Sequence, residues 1–470
     1  MTDLDLCYTP ATKLARLIRT KKLSPVELMR NTLERIESVN PKLNCFCFVY
    51  PEEALEKAKA AEDAVMAGRP LGPLHGVPFA IKDLTPTKGK RTTLGSKAYE
   101  NWVPDHDAPI VEALDRAGGI MVGKTTTPEF AYSGFTDSPL WGYTRNPWNL
   151  AKTSGGSSGG AGSAVASGCV PIAEGSDMGG SVRIPASFCG VAGLKPSFGR
   201  IPFTILPSQF DQLSHFGPLA RTVSDVALFL SVTQGPDERD IQSLKPALDI
   251  PIPVPANVEG LRLALSVDLG YSWVHPEVEA AVRSAADALR NAGAVVEEVE
   301  LGWDWRLNDL WVAHWGVYLA AFFGHTLKTH RELLDPNVVR LMEAGLAMNA
   351  VDFKRIEFAR TDQWKKLSPI LERYDAMLCP TMTMTAPDVD ARNAEYGALD
   401  SSGKYRGLDM TSVFNFVSQC PAFSVPCGFG SDGLPIGLQI VGRRFDDLTV
   451  LKIGAAFEAI RPWADKRPQI

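Results

Sequence analysis

A run of small residues between positions 154 and 196 constrains the fold of this chain more than any other segment. It begins SGGSSGG and ends GSDMGGSVRIPASFCGVAGLKP. Glycine lets backbone N–H groups approach a ligand closely, and adjacent amides in such a loop can hold an oxyanion. A flexible Gly/Ser linker has a similar composition, but a linker would not carry the small and apolar residues at positions 161–170 and 191–194. We therefore predict a buried, ordered segment.

The segment resembles the signature of the amidase signature family, the Ser–Ser–Lys amidohydrolases. Further motifs resemble family segments in order and spacing: GVPFAIKD (76–83), VGKTTTPEF (122–130), GYTRNPWN (142–149), and PAFSVPCGF with GLPIGLQIVG (421–442). The likeness covers nearly the whole chain and is weakest from about residue 235 to 375. It implies the α/β amidase signature fold, in which helices flank both faces of a large mixed central β-sheet.

The chemistry of such a site depends on activating a serine. A serine hydroxyl needs a nearby base, and a lysine becomes one where burial lowers its pKa. Lys82 ends an apolar run, although a lysine at a strand end more often points to solvent. The resemblance implies that Lys82 is the base, Ser157 the bridging serine after a cis peptide bond, and Ser181 the nucleophile. It also implies an oxyanion hole formed by the amides of Met178, Gly179, Gly180 and Ser181.

Other residues are expected to support the site or to bind the substrate. The predicted scaffold residues are Ser158, Ser176, Asp177 and Arg183, and the last two either pair to hold the loop or form an ordinary surface ion pair. The substrate-binding candidates are Tyr132, Trp315 and Ser158. Residues 303–323 are rich in aromatic side chains, which suits either a core or the wall of a pocket.

The sequence leaves two enzymatic alternatives for the substrate. The family contains stand-alone hydrolases and the glutamine-hydrolysing component of glutamyl-tRNA amidotransferase, its A subunit, which acts for a partner. Glutamine would need a carboxylate for its amine and an arginine for its carboxylate, and Asp409 and Arg340 are the candidates. The aromatic residues 303–323 favour a stand-alone amidase acting on hydrophobic or aryl amides, anilides, esters or carbamates. A non-enzymatic binding protein, the third class, would show no turnover.

Two other motifs are interpreted as chance matches. Residues 118–125, GGIMVGKT, fit the P-loop pattern, but Ile-Met-Val should itself form a strand, and Thr-Thr-Pro follows where a helix should begin. Residues 155–159 and 156–160 fit GxSxG, the nucleophile elbow of Ser-His-Asp hydrolases, but no apolar strand runs into Ser157. Chain order alone leaves that alternative open, because these histidines follow: His215, His275, His314, His325 and His330.

Composition limits the partners of the chain. With 45% hydrophobic residues, a net charge of −6 and no basic stripe, it should be a soluble protein that binds no nucleic acid. The most apolar stretch, residues 310–324, is too short to span a membrane, and the N-terminus lacks a signal core, so we expect a cytoplasmic protein. No metal-ligand motif occurs, and we expect no metal or cofactor. A homodimer is compatible with the sequence.

The eight scattered cysteines lack a CxxC pair and should be free thiols. We predict a single domain over residues 1–470, with N-terminal helices (about 10–67), a signature core (about 70–230), a more variable substrate-side region (about 235–400) and C-terminal strands and helix (about 410–462). Ser24-Pro-Val-Glu predicts a helix start, with its end near residue 38, before Pro41. Further helices are predicted at 52–66, 108–117, 276–291 and 448–460, and strands at 76–82, 120–122, 295–301, 422–425 and 436–441.

Overall fold

The computed structural model describes residues 2–391 and 398–470, in which helices and strands alternate. The strands are β1 (Phe46–Val49), β2 (Pro78–Lys82), β3 (Ile120–Thr125), β4 (Asp137–Ser138), β5 (Gly142–Tyr143), β6 (Arg145–Asn146), β7 (Asn149–Thr153), β8 (Ile172–Asp177), β9 (Ala192–Lys195), β10 (His215–Ala220), β11 (Arg262–Leu265), β12 (Val295–Glu298), β13 (Ala376–Pro380), β14 (Ala422–Phe429) and β15 (Pro435–Gly442). The α-helices are α1 (Leu4–Cys7), α2 (Ala11–Arg19), α3 (Pro25–Leu43), α4 (Pro51–Met66), α5 (Pro109–Arg116), α6 (Gly159–Ala166), α7 (Arg183–Cys189), α8 (Val223–Thr233), α9 (Pro276–Asn291), α10 (Arg306–Phe323), α11 (Thr326–Thr329), α12 (Pro336–Ala347), α13 (Ala350–Arg373), α14 (Val413–Phe416) and α15 (Asp447–Ile460).

One large sheet organises the described part of the chain. Eleven strands pair in the order β1-β3-β2-β8-β10-β9-β14-β15-β13-β11-β12. Strand β2 runs parallel to β3 and β8, and β11 runs parallel to β12 and β13, whereas the remaining neighbours are antiparallel. The sheet is therefore mixed, as predicted. Strands β4 to β7 form two separate two-stranded ribbons.

Helices cover both faces of this sheet. In β2, Phe79 and Ile81 pack into one apolar cluster while Ala80, between them, packs into another. This alternation follows from the strand geometry, which points successive side chains to opposite faces. Helices α2, α5, α8, α9 and α15 contribute to the first cluster, and α3, α4, α6 and α7 contribute to the second. The predicted α/β architecture is confirmed.

The end of α3 differs from its prediction. Ser24 caps the helix as expected, since its hydroxyl accepts two amides of the first turn. The predicted end near residue 38 is wrong, because α3 continues through Pro41 to Leu43. Proline removes one intrahelical hydrogen bond, and here the loss falls in the last turn. The side chain of Asn40 then accepts two amides beyond the helix end and stabilises that turn.

Two interpretations of local motifs are confirmed. The P-loop-like residues Gly123, Lys124 and Thr125 belong to β3, and Lys124 is fully buried, so they form no phosphate loop. All eight cysteines are free thiols, and all but Cys47 are buried.

In the described ranges, no helix contains a stretch that is both long enough and apolar enough to cross a bilayer.

Strand direction positions the site. Lys82 is the last residue of β2, and Asp177 is the last residue of β8. Because these strands are parallel neighbours, their carboxyl ends lie at the same edge of the sheet. The loop that follows β8 therefore starts beside Lys82.

Candidate active site

A buried lysine lies at the centre of the site. The Nζ atom of Lys82 lies 2.6 Å from Ser157 Oγ and 2.9 Å from Ser176 Oγ. Its side chain is fully buried, and this burial lowers the pKa of Lys82 to about 7, against the opposing charges of Glu174 and Asp177. Near neutral pH a large fraction of this amine is uncharged and can accept a proton from Ser157.

Two polar residues of β8 hold Lys82 in place. Glu174 and Ser176 are two positions apart, so their side chains lie on one face of the strand. Glu174 Oε2 accepts the backbone N–H of Lys82 over 2.8 Å, and burial raises the pKa of Glu174. Ser176 was predicted to be a scaffold residue, whereas no role was predicted for Glu174. The sequence signal that could have identified Glu174 is its position two residues before Ser176, in a strand that begins Ile-Ala.

The two serine segments meet beside Lys82. The Gly156–Ser157 peptide bond is cis, as the resemblance implied. The amide of Ser158 donates to the carbonyl of Ser181 over 3.1 Å and ties the two segments together. Ser157 and Ser181 line the same cavity. The structure thus brings together the three residues that the sequence analysis placed in the relay.

The loop after β8 presents backbone amides beside Ser181. The amide of Gly180 donates to Asp177 Oδ1 over 2.8 Å, so it holds the loop instead of facing an oxyanion. Within residues 2–391 and 398–470, the amides of Met178, Gly179 and Ser181 have no acceptor. Three of the four predicted donors therefore make no hydrogen bond within the described residues.

A buried ion pair between Arg183 and Asp177 stabilises this loop. Arg183 Nη2 lies 2.9 Å from Asp177 Oδ1, and both side chains are fully buried. Arg183 also donates to Asn415 Oδ1 and to Gln439 Oε1. Burial acts to raise the pKa of Asp177, but the Arg183 guanidinium and the Asn415 amide outweigh it and keep this pKa well below its usual value. The pair is part of the scaffold and not a surface ion pair.

The histidines supply no base for Ser181. His215 pairs with Asp177 across β10 and β8, but its Nδ1 lies 2.8 Å from Leu213 O and its Nε2 lies 3.2 Å from a second backbone carbonyl. His314 is buried with no hydrogen bond among the described residues. No histidine of the described chain lines the cavities that contain Ser181. This placement argues against a Ser-His-Asp triad.

Ser181 lies where two cavities meet. The first, which we call the main cavity, measures about 220 Å³, and the second, which we call the apolar cavity, measures about 40 Å³. Both are lined by Ala131, Met178, Ser181 and Trp315. The main cavity is lined by Ala131, Tyr132, Ser133, Gly134, Met178, Gly179, Ser181, Ile184, Asn308, Trp311, Val312, Trp315, Met382, Tyr405, Gly407, Leu408, Asp409 and Ser412. The apolar cavity is lined by Leu84, Phe130, Ala131, Ser157, Ser176, Asp177, Met178, Ser181, Phe203, Leu206, Ser214, Trp315 and Phe323.

Two of the three substrate-binding candidates line the wall of the main cavity, and the third belongs to the scaffold. Tyr132 and Trp315 line the main cavity, as expected of pocket residues. Ser158 lines neither cavity, because it is fully buried and its hydroxyl exchanges hydrogen bonds with the backbone of Ser176. The aromatic stretch forms α10, and it serves both as core and as pocket wall: Leu319 packs inward while Trp311 faces the main cavity.

The two residues considered for glutamine lie on different walls. Asp409 lines the main cavity, and its Oδ2 accepts the backbone amides of Thr411 and Ser412. Arg340 is exposed and lines an adjoining cavity of about 230 Å³, which shares Tyr132, Ser133, Trp311, Val312 and Trp315 with the main cavity.

The chain is similar to known amidases over nearly its whole length. The model of the amidase family matches residues 27–451. An acylamidase of Rhodococcus erythropolis is 39% identical over 472 residues, which covers 100% of this chain and 98% of the relative. The A subunit of the glutamyl-tRNA(Gln) amidotransferase of Thermosynechococcus vestitus is 34% identical, and the match covers 97% of this chain and 99% of that relative. The crystal structure of a bacterial aryl acylamidase of the amidase signature enzymes superimposes with a TM-score of 0.92, at 32% identity and 97% coverage of each chain. The chain therefore belongs to the amidase signature family.

Proposed function

We propose that this amidase hydrolyses hydrophobic or aryl amides through an acyl-enzyme formed on Ser181. The observation that carries the proposal is the position of Ser181, between two cavities with aromatic walls and next to the Lys82–Ser157 pair. Rings such as Tyr132, Trp311 and Trp315 favour a flat, apolar group. The names of the acylamidase and aryl acylamidase relatives support the same class of substrate.

Acylation uses Lys82 as the base. The uncharged amine accepts the proton of Ser157, which takes the proton of Ser181 as Ser181 Oγ attacks the substrate carbonyl. The amides of Met178, Gly179 and Ser181 are the available donors to the oxyanion, and one such donor is worth about 3 kcal/mol in the transition state. Ser157 donates the proton it took from Ser181 to the leaving nitrogen and regains its own from Lys82. The amine departs neutral, Lys82 is again uncharged, and the acyl group stays on Ser181.

Deacylation repeats these steps with water. Ser157 gives its proton to Lys82 as it accepts a proton from the attacking water, and the oxyanion forms again at the same amides. Collapse of this second intermediate releases the carboxylic acid, while Ser157 donates a proton to Ser181 Oγ and regains its own from Lys82. Aryl esters and carbamates present the same carbonyl to Ser181, so we propose them as further substrates.

The purified chain alone should release amine from aryl amides and anilides. The measurement is amine release from a panel of aryl amides, anilides, aliphatic amides and glutamine, with Ser181→Ala as the control. Turnover of the aromatic substrates that disappears in Ser181→Ala supports the proposal. Activity on glutamine alone, or only after addition of a partner protein, would favour the amidotransferase alternative, in which Asp409 binds the glutamine amine.

Activity should decline as the solution becomes more acidic than about pH 7, because the pKa of Lys82 is about 7. Above this value Lys82 is uncharged and can accept the proton of Ser157, and below it the amine is protonated and the relay stops. The measurement is the pH profile of kcat/KM for an uncharged amide, with circular dichroism at each pH to confirm folding. A profile that stays flat down to about pH 5 would contradict an uncharged Lys82 as the base.

A further inference from the structure

The loop that carries the amides is held at each of its carbonyls by a different donor. The donors come from an indole, a hydroxyl and a backbone amide, and they lie on α10, on the segment before α14 and on α7. The hydrogen bonds are Trp311 Nε1 to Met178 O (3.2 Å), Thr411 Oγ1 to Gly179 O (2.7 Å) and Ile184 N to Gly180 O (2.7 Å).

Holding a carbonyl also fixes the amide that follows it. A trans peptide unit is planar, so the C=O of one residue and the N–H of the next point in opposite directions. The unit between Gly179 and Gly180 shows this, because Thr411 holds the carbonyl and the amide on the other side donates to Asp177. By the same geometry, the Trp311 hydrogen bond to Met178 O sets the direction of the Gly179 amide, which has no acceptor in the described chain.

The indole of Trp311 also packs directly on this peptide. A Cβ atom added to Gly179 would lie only 2.2 Å from Trp311 Cζ2, so the absence of a side chain permits the contact. The same ring lines the main cavity. One residue of α10 therefore touches both the amide-bearing loop and the space for the substrate.

We propose that Trp311 is a positioning residue, whose indole N–H holds the Met178–Gly179 peptide so that the Gly179 amide faces the substrate oxyanion. This inference rests on the proposed acyl-enzyme chemistry. Glycine permits backbone rotations that other residues resist, so the peptide before Gly179 can turn when its carbonyl loses the donor. Loss of a whole oxyanion donor lowers kcat by about 10²–10³-fold. Loss of its orientation alone should lower kcat by about tenfold.

Trp463 offers a matched control outside the site. It is buried, lines neither cavity that contains Ser181, and donates its indole N–H to Arg221 O over 2.8 Å. Trp311→Phe and Trp463→Phe each keep an aromatic ring and remove one indole N–H. We expect about a tenfold lower kcat with little change in KM for Trp311→Phe, and a kcat within about twofold of wild type for Trp463→Phe.

A second measurement separates orientation from packing. An arylboronic acid forms a tetrahedral adduct with Ser181 and places a boron-bound oxygen among the loop amides, whereas an uncharged aromatic ligand without a reactive centre does not. Trp311→Phe should weaken boronate binding by the same factor as kcat/KM and leave binding of the inert ligand unchanged. If Trp311→Phe destabilises the fold, 3-benzothienylalanine at this position keeps the ring shape and removes only the N–H.

Three results would overturn the inference. Trp311→Phe with raised KM and unchanged kcat would make Trp311 a wall of the pocket only. Equal weakening of boronate and inert-ligand binding would also make Trp311 a wall of the pocket only. Equal losses of kcat in the two Phe variants would show that the effect comes from removing a buried indole N–H in general. Failure of the proposed function is distinguishable, because the wild-type chain would then turn over no amide and bind the boronate independently of Ser181.

Discussion

Replacement of Ser181 by alanine should lower kcat by about 10⁴-fold or more, because no acyl-enzyme can form without its hydroxyl. The backbone amides of the loop remain in place, so some rate above the uncatalysed reaction should persist. The free energy of unfolding should change little, since Ser181 lines both cavities and its backbone hydrogen bond with Ser158 does not involve the hydroxyl. The measurement is steady-state turnover of an aryl amide together with urea unfolding.

The acyl-enzyme itself can be trapped. An aryl carbamate should leave a carbamoyl group on the wild-type chain, and mass spectrometry of the digested protein should place it on the peptide that contains Ser181. The Ser181→Ala variant should acquire no such mass. Labelling of Ser157 in its place, or a Ser181→Ala variant that keeps more than about 1% of kcat, would contradict Ser181 as the nucleophile.

Lys82→Met should lower kcat by about 10³-fold or more, because the variant retains both serines but lacks a base for the relay. Methionine has a similar length and is apolar, which suits a fully buried position. The remaining activity should no longer decline near pH 7, since the group that titrates there has been removed. The measurement is the pH profile of kcat for wild type and variant on an activated aryl ester, whose good leaving group makes weak activity detectable.

Lys124→Met is the matched control for this change. Lys124 is also fully buried, lies on the neighbouring strand β3, and donates to the carbonyl of Thr85 over 2.8 Å. Burial lowers the pKa of Lys124 to about 8, but its side chain lines neither cavity that contains Ser181. We expect its kcat to stay within about threefold of wild type. Comparable losses in the two variants would show that the effect of Lys82→Met comes from packing and not from proton transfer.

The sequence by itself determined the type and order of many elements and, through its resemblance to the family, the candidates for the relay. Helix α9 follows from an N-terminal proline and an amphipathic pattern, and β2 from a short apolar run, because these signals act through the local backbone. The signature likewise indicated Ser157, Ser181 and Lys82, since each stands within a recognisable local motif. These features depend on residues that are close together in the chain, so a sequence is sufficient to identify them.

Only the tertiary structure determined the pKa values and the hydrogen-bond partners of these residues. Burial of Lys82 sets its pKa, and burial depends on segments that pack around it from elsewhere in the chain. The donor to Met178 O, Trp311, is 133 positions away. Asp177 takes the amide of Gly180 out of the predicted oxyanion hole. Desolvation and the choice of hydrogen-bond partner are properties of the assembled fold, because they depend on which distant groups exclude water and which atoms they bring within reach.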